Sequence, residues 1–417
     1  YPDSKSDMFA MFIEVPFVKQ NGFRAIVNPD SWMFLTVFEE LRKDVLRNND
    51  IVSMIHLGLG AFDATVQTVA FVLRQSNVNY RGRYFRLNKI KEKESGFLNH
   101  INEVVSDKQR YKTIPGFPIA FWISDGLINS FIKGHPIEGI GSVRTGMSTG
   151  KNDLYLRLWH EVENGKISFR ATDINQIDLS QKPWIPYNKG GDARKWYGNN
   201  EYIVLWREHD HFHRSRPNFQ DIYLKEGLTW SFVTTGMFSA RFYDIGHLWD
   251  VAGSPCVFKR RSDLLYVLAF LSTKIAAEIM KLINPTLNCQ VVDIQRVPII
   301  SNTSKENEIN AISEKSIAIS RSDWDSFETS WDFLEHPLVR LRKGLGDSTA
   351  VSATMFRYYG GHPKVSSPVE LCYMLWQGEC RDRFNKLKTN EEELNRIFIE
   401  IYGLQGELTP EVEGNDV

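Results

Sequence analysis

The hydrophobic pattern predicts alternating helices and strands in the N-terminal part of the chain. Residues 23–27, 51–57 and 66–73 are short, apolar and rich in β-branched side chains, as are strands buried inside an α/β sheet. Residues 37–46 instead place apolar side chains at helical spacing, and another helix is predicted from Asp7. Together these elements predict half of a doubly wound sheet. Because half a sheet has an unpaired edge strand, we expect this region to be covered by another chain, rearranged or weakly stable.

The pattern then changes twice along the chain. A charged stretch that includes residues 89–94 is predicted to be a solvated connector. Short strands next alternate with Gly, Pro and Asn turns, which predicts a mostly β domain with a buried helix over residues 264–283. The remainder is mainly helical, and a final helix is predicted from Glu391 to about Gly403. The predicted boundaries are therefore 1–79, 80–136, 137–300 and 301–417.

Composition narrows the class of protein. The 417 residues, 42% of them hydrophobic, suffice for roughly two to three domains with ordinary cores. The net charge is -1, so binding to nucleic acid would need a local basic patch instead of an overall field. Four cysteines without a closely spaced pair favour a reducing compartment. Because Lys274, Glu278 and Lys281 interrupt the most apolar segment, no membrane span is predicted and a cytoplasmic location is expected.

Two glycine-rich loops, residues 145–153 and 186–200, carry the most informative chemistry. A strand-like apolar run, residues 154–162, follows the first loop. Glycine lets a backbone come close to a ligand, while Arg, Lys and Asn contact phosphates and base edges. We therefore predict DNA contacts by these loops and by nearby cations. The candidate residues are Lys151, Asn152, Lys189, Arg194, Lys195, Trp196, Asn199, Asn200, Arg214, Arg216 and Arg241.

Each candidate also has a purely structural alternative. The first loop resembles a phosphate-binding P-loop, but its glycine spacing is one residue short and Asn152 stands where Ser or Thr would bind magnesium, so nucleotide binding is disfavoured. The structural alternative to a DNA contact by this loop is an ordinary tight turn. The basic excess between Lys182 and Arg216, seven cations against four anions, could be ordinary solvated surface. Interleaved aromatic residues favour DNA contact. Asn199 and Asn200 could read adenine or simply cap a turn.

The sequence predicts neither a metal site nor a nuclease site. His209, His211 and His213 would share one face of an extended strand, a geometry that could suit zinc. A fourth ligand is missing, so a polar, mobile loop is the favoured interpretation. A metal-dependent nuclease would need two or three acids and a Lys that converge on a cation, and no such spaced set stands out. We therefore predict no metal.

Both glycine-rich loops resemble the target-recognition region of large adenine-specific DNA methyltransferases. More specifically, they look like PglX-type methyltransferases of BREX phage-defence systems and the related Type IIG restriction–modification enzymes. Further segments are similar to the same family in the same order along the chain. These segments are residues 6–14, 21–27, 61–63 with 66–73, 284–288 with 293–294, 324–333 and 390–405.

The resemblance implies a different role for each predicted region. Residues 1–79 would be the C-terminal half of a Rossmann-like methyltransferase domain, residues 137–300 a β-rich target-recognition domain, and residues 301–417 a helical region. The family's glycine-rich turn for S-adenosylmethionine and its Asn-Pro-Pro-Tyr-type loop do not occur, and residues 28–32 lack the Pro-Pro pair. We therefore expect no catalytic or cofactor-binding residue here. The chain is expected to be a C-terminal portion that is inactive alone.

The resemblance implies site-specific methylation of adenine N6 in double-stranded DNA by the complete enzyme. S-adenosylmethionine would be the cofactor, other BREX proteins would be partners, and the methylation would mark host DNA in antiviral defence. Two alternatives stay open at this point. One is a Type IIG enzyme that both cuts and methylates, and the other is a non-catalytic DNA-specificity module.

Overall fold

The chain divides into two compact units, each with its own sheets and helices. The structure, a computed structural model, describes residues 2–14, 19–62, 65–78, 80–233, 238–284, 288–345 and 367–416. The first unit comprises Tyr1–His135, Glu278–Thr286 and Arg296–Ile300, and the second comprises the rest of the chain. The expected mixed α/β architecture with several sheets and C-terminal helices is confirmed. Pro16, at which we expect the helix predicted from Asp7 to be disturbed, lies outside the described residues.

A five-stranded sheet forms the first unit. Its strands are β1 (Phe23–Pro29), β2 (Asp50–Gly58), β3 (Thr68–Arg74), β4 (Arg81–Arg86) and β5 (Glu103–Asp107), in the order β1-β3-β2-β4-β5. Strand β3 is antiparallel to both β1 and β2, whereas β2 and β4 are parallel. The three strands predicted from apolar runs are confirmed as strands, and β2 and β3 are largely buried as expected. The predicted burial of residues 23–27 is wrong, because β1 lies at the edge of the sheet with Phe23 and Val27 exposed.

Part of the predicted connector belongs to this sheet. Strand β4 alternates exposed Arg81 and Arg83 with buried Gly82 and Tyr84, and β5 pairs with it antiparallel. Because one face of β4 is charged, its sequence resembles that of a solvated connector, and the strand was not predicted. The charged run at residues 89–94 is largely exposed, as predicted.

Helices α1 (Met8–Glu14), α2 (Glu39–Asn48), α3 (Lys93–Leu98), α4 (Gln109–Lys112) and α5 (Asp125–Lys133) complete most of this unit. Trp32, Leu41 and Met54 are fully buried in its core. Arg42 is buried beside them, where its guanidinium donates to the carbonyls of Trp32, Leu35 and Gly116. Burial lowers the pKa of Arg42 to about 10.

Two four-stranded sheets lie in the described part of the second unit. One contains β8 (Leu156–Leu158), β9 (Trp184–Asn188), β10 (Tyr202–Leu205) and β13 (Leu248–Trp249), in the order β13-β9-β10-β8. The other contains β7 (Gly141–Val143), β11 (Gly227–Trp230), β12 (Ala240–Tyr243) and β14 (Pro255–Phe258), in the order β12-β11-β14-β7. The short strands β6 (His135–Pro136) and β15 (Pro298–Ile299) lie outside both sheets.

The remaining helices differ from prediction in two places. They are α6 (Asn152–Tyr155), α7 (Arg261–Leu271), α8 (Lys274–Ile283), α9 (Val291–Gln295), α10 (Glu306–Trp324), α11 (Pro337–Gly344) and α12 (Pro368–Tyr402). The single helix predicted over residues 264–283 is broken between α7 and α8. There the hydroxyls of Ser272 and Thr273 bond to the carbonyls of Leu268 and Phe270, which competes with helix continuation.

The final helix begins well before the predicted residue Glu391. Ser367 caps its N-terminus by accepting a hydrogen bond from the Glu370 amide, and Pro368 occupies the first helical position. The end was predicted correctly, because Gly403 adopts the left-handed conformation (φ 69°) that terminates helices. No helix among the described residues is both long and apolar enough to cross a membrane.

Candidate nucleic-acid interface

The two glycine-rich loops flank one shared backbone segment, residues 248–252. On one side, Met147 donates to the Trp249 carbonyl at 2.7 Å and accepts from the Val251 amide at 2.8 Å. On the other side, the Asp250 amide donates to the Asn188 carbonyl at 2.8 Å. Loops far apart in sequence are thus brought onto a common support.

The glycines of these loops serve backbone packing. A Cβ atom on Gly146 would lie 2.0 Å from the Asp250 carbonyl oxygen, which no side chain can tolerate. A Cβ atom on Gly190 would lie 2.4 Å from the Ala252 carbonyl oxygen, and Gly190 also has a left-handed backbone (φ 89°). At these two positions the glycines let the loops approach residues 248–252. The sequence predicts instead that these glycines let the backbone come close to a ligand.

Asp250 organises the beginning of the second loop. Its carboxylate accepts from Lys189 Nζ at 2.7 Å and from the Tyr187 hydroxyl at 3.2 Å, and its other oxygen accepts from the Ala252 amide. Burial, together with the adjacent carboxylate, raises the pKa of Tyr187 well above its usual value. Lys189 is therefore held by a buried acid, and only part of its side chain is exposed to solvent.

Four predicted contact residues form one exposed surface, which we call the loop patch: Lys151, Asn152, Arg214 and Arg216. Ser148 and Arg214 exchange backbone hydrogen bonds at 2.9 Å, which joins the first loop to the segment that carries both arginines. Arg216 Nε also donates to the Gly146 carbonyl. Lys151, Asn152 and Arg214 are exposed and Arg216 is partly exposed, so the loop patch presents three cations and an amide to solvent.

The backbone after the first loop differs from the predicted strand. Helix α6 makes one turn from Asn152, only β8 is extended, and a 3-10 turn follows at Trp159–Glu161. Side-chain bonds explain the change. Asn152 accepts from the Thr149 hydroxyl, and Glu161 accepts from the Leu158 amide, so local partners replace a longer strand pairing.

The histidine cluster is also not extended. Residues Trp206–His211 form 3-10 turns, and the His209 ring stacks on Trp206 with ring centroids 4.3 Å apart. The extended conformation that would place three imidazoles on one face is therefore not formed, and the turns agree with the favoured interpretation of a polar loop. Among the described residues, no group of three or more His, Cys, Asp or Glu side chains could hold a metal ion.

A buried carboxylate on α12 holds the centre of the second loop. Glu391 is 1% exposed and accepts from Lys195 Nζ at 2.7 Å and from Trp196 Nε1 at 2.8 Å. The Trp196 side chain is completely buried. These two residues, predicted as DNA contacts, are engaged inside the protein in this structure.

The end of the second loop is secured by internal hydrogen bonds. The Asn199 amide, on a left-handed residue (φ 59°), donates to the carbonyls of Gly190 and Asp192 at 3.0 and 2.9 Å. Arg241 is 1% exposed and donates to the Gly190 carbonyl and the Ser231 hydroxyl. Burial lowers the pKa of Arg241 to about 10. Asn200 is 2% exposed, so Asn200 and Arg241 offer almost no surface to DNA.

Burial thus divides the predicted contacts into two groups. The exposed or partly exposed group is Lys151, Asn152, Lys189, Arg194, Lys195, Asn199, Arg214 and Arg216, and the buried group is Trp196, Asn200 and Arg241. Sequence reasoning missed the two acids that fix these loops, Asp250 and Glu391. The sequence does not indicate that an acid holds one of these loops, because that role depends on which distant cation the acid pairs with in the folded chain.

Comparison with known proteins gives matches along the whole chain. The chain is 37% identical, over its full length, to the adenine-specific methyltransferase PglX of Lacticaseibacillus casei (strain Zhang), and covers 35% of that protein. It is also 37% identical, over 84% of its length, to the adenine-specific methyltransferase BrxX of Escherichia coli O9:H4 (strain HS), of which 29% is covered. The chain therefore spans about a third of the length of these relatives. No protein-family model matches. The resemblance to PglX-type methyltransferases is confirmed.

Two solved structures are similar at lower identity. The Type IIL restriction–modification enzyme MmeI in complex with DNA matches 89% of this chain and 51% of its own, with 11% identity and a TM-score of 0.41. A nuclease-deletion mutant of the Type ISP restriction–modification enzyme LlaGI, in complex with a DNA substrate mimic, matches 72% of this chain and 30% of its own. Its identity is 12% and its TM-score 0.40.

Proposed function

We propose that this chain, being similar along its whole length to PglX, supplies target recognition to an adenine-specific DNA methyltransferase. The observation that carries the proposal is the 37% identity to PglX over the full chain. The complete protein would use S-adenosylmethionine and methylate adenine N6 at one DNA sequence. It would act in the cytoplasm and mark host DNA for a BREX phage-defence system, with other BREX proteins as partners.

We propose a separate role for each of four regions of the chain. Residues 1–79 would be the second half of a doubly wound methyltransferase sheet. The placement of β3, antiparallel between β1 and β2, supports a hairpin that closes such a sheet. Residues 80–136 would connect the domains while adding β4 and β5 to this sheet. Residues 137–300 would recognise DNA, and residues 301–417 would support them.

The chemistry explains why recognition must accompany catalysis. The exocyclic amine of adenine is a weak nucleophile, because its lone pair is delocalised into the ring. A methyltransferase must therefore take the base out of the duplex and align the amine with the methyl group of S-adenosylmethionine. We assign none of these catalytic or cofactor contacts to residues of this chain. Its own residues would hold the duplex through phosphates and select the sequence through base edges.

Within the recognition region, the loop patch is the best candidate for first contact with DNA. Lys151 and Arg214 are exposed, and no carboxylate among the described residues lies within ion-pair distance of either. Both can therefore displace counterions from phosphates without first breaking an ion pair. Asn152 lies beside them with its amide oxygen already engaged by Thr149.

The proposal is tested with the complete protein, by sequencing the methylated bases in DNA of cells that express it. N6-methyladenine at one sequence motif is expected. Motif-specific cleavage in addition would favour the Type IIG alternative, and binding without methylation would favour a specificity module. In parallel, Lys151→Ala with Arg214→Ala should reduce the log–log salt slope of duplex binding by roughly two. Lys225→Ala with Lys315→Ala removes the same charge from exposed sites elsewhere and should leave the slope unchanged. Equal slopes in both variants would contradict the role of the loop patch.

A further inference from the structure

A groove of about 840 Å³ lies between the second glycine-rich loop and two C-terminal helices. Its lining includes residues 193–197, part of α10 near Asp323 and the middle of α12. Of the described residues that line this groove, four are cationic and one is acidic: Arg194, Lys195, Arg381, Arg383 and Asp323. It lies entirely in the second unit and shares no residue with the loop patch.

Two of the four cations are fixed by acids. Lys195 is bound to buried Glu391 at 2.7 Å. Arg383 lies 3.3 Å from Asp323 and stacks on Trp376, with its guanidinium carbon 4.6 Å from the ring centroid. These contacts balance part of the charge and hold both side chains in place. They leave the groove with a net positive charge, because Asp323 and the buried Glu391 balance only two of its four cations.

The other two cations have no acidic partner among the described residues. Arg194 is exposed and its guanidinium stacks on Trp324, 4.9 Å from the ring centroid. Arg381 is exposed on α12. Stacking on an aromatic ring orients a guanidinium and leaves its N–H groups available to an anion. Arg194 and Arg381 are thus the groups in this groove that are ready to bind a further negative charge.

The helix that carries Arg381 is rigidly held at both ends. Near its start, Leu371 and Cys372 are buried against α11. Near its end, Phe398 and Tyr402 pack against Phe270 of α7. Between these anchors, the segment around residues 381–386 is largely exposed. A cation on such a rigid element presents its charge in a defined place.

We propose that this groove binds the sugar–phosphate backbone of DNA, with Arg194 and Arg381 as the phosphate contacts. This inference rests on the proposed function and extends the DNA interface to helix α12, which no sequence motif indicated. Arginine suits phosphate because its planar N–H groups can donate two parallel hydrogen bonds to one phosphate group. Such contacts would position the duplex without reading its sequence. The groove would therefore strengthen binding to all duplexes alike.

The test measures duplex binding by the complete protein across a range of salt concentrations. Arg194→Ala with Arg381→Ala should lower the log–log salt slope by roughly two, and should weaken binding similarly with and without the recognised motif. Arg194→Lys with Arg381→Lys keeps the charges and should restore most of the slope. The control is Lys386→Ala with Lys225→Ala, because Lys386 lies on α12 outside the groove lining. Thermal melting of each variant checks that it is folded.

The outcomes separate this inference from the proposed function. If wild-type protein neither binds duplex nor methylates it, the proposed function fails and this inference fails with it. If wild-type protein binds and methylates DNA while the folded Arg194→Ala and Arg381→Ala variant keeps its salt slope, only the groove is excluded. Binding of a free polyphosphate to the groove without any change in the DNA slope would likewise overturn the inference. A lower slope with an unchanged methylated motif supports it.

Discussion

At the scale of single residues, the sequence identified candidate DNA-contacting side chains, but it did not show which of them are exposed and which are bound inside the protein. Lys195 and Trp196 lie in a glycine-rich basic loop, which favoured DNA contact. Their partner, Glu391, lies almost 200 positions later, and only the folded chain brings the three together. Lys151 and Arg214 look no different in sequence, yet both are exposed. Long-range pairing of charges therefore decides which cations remain available.

We predict that Glu391→Ala destabilises the protein by roughly 3–5 kcal/mol, because it leaves Lys195 largely buried without its acid. Glu391→Gln keeps an acceptor for Trp196 and should lose less. The measurement is chemical denaturation of each variant, with Glu393→Ala as the control. Glu393 lies on the same helix and pairs with Arg396 at the surface, so its loss should change stability by less than about 1 kcal/mol. Equal stability of the Glu391 and Glu393 variants would mean that the buried pair does not hold the loop.

Asn199 gives a prediction about support as opposed to base readout. Its amide already donates to two backbone carbonyls. Asn199→Ala should therefore lower stability by roughly 1–3 kcal/mol and, under the proposed function, leave the methylated motif of the complete protein unchanged. Asn164→Ala, at an exposed turn, serves as the control for loss of an amide. Sequencing of methylated DNA decides between the two roles, since a motif that blurs at normal protein abundance would make Asn199 a base reader.

At the scale of elements, strands that depend mainly on the burial of apolar side chains were predicted correctly. Strands β2 and β3 are short apolar runs with mostly buried side chains, so burial alone specifies them. The errors came where side chains compete for the backbone. The break between α7 and α8 depends on two hydroxyls, and the loss of the strand after residue 154 depends on Asn152 and Glu161. Such local bonds leave little trace in a hydrophobic pattern.

The packing of the first loop on residues 248–252 gives a prediction at this scale. Gly146→Ala would place a Cβ atom 2.0 Å from the Asp250 carbonyl, so the loop must move away from its support. We expect a loss of stability of roughly 1–3 kcal/mol or more, together with weaker DNA binding. Gly165→Ala is the matched control, because no atom lies within 4 Å of the added Cβ position. Thermal melting and duplex titration of both variants test this. A Gly146→Ala protein that matches the control would show that the loop is not held there.

At the scale of the whole molecule, charge is nearly balanced, with 50 basic and 51 acidic residues. Under the proposed function, attraction to DNA would therefore come from places where acids are absent or already paired. The loop patch and the groove are two such places in the second unit. Composition indicated that local patches were needed, and sequence located the loop patch in part. The contribution of α12 was not predictable, because its cations approach the second loop only through the packing of the C-terminal helices.

These two surfaces predict additive salt effects if one duplex engages both of them. The variant with Lys151→Ala, Arg214→Ala, Arg194→Ala and Arg381→Ala should then lower the log–log salt slope by roughly four, the sum of the effects of the two double variants. Additivity is expected because phosphate contacts release counterions independently when they share no partners. The slope is measured for the complete protein on duplexes of increasing length. On a duplex too short to reach both surfaces, one double variant should lose its effect while the other keeps it. If the variant with all four substitutions lowers the salt slope on long duplexes no more than either double variant does, the two surfaces do not bind the same DNA molecule together.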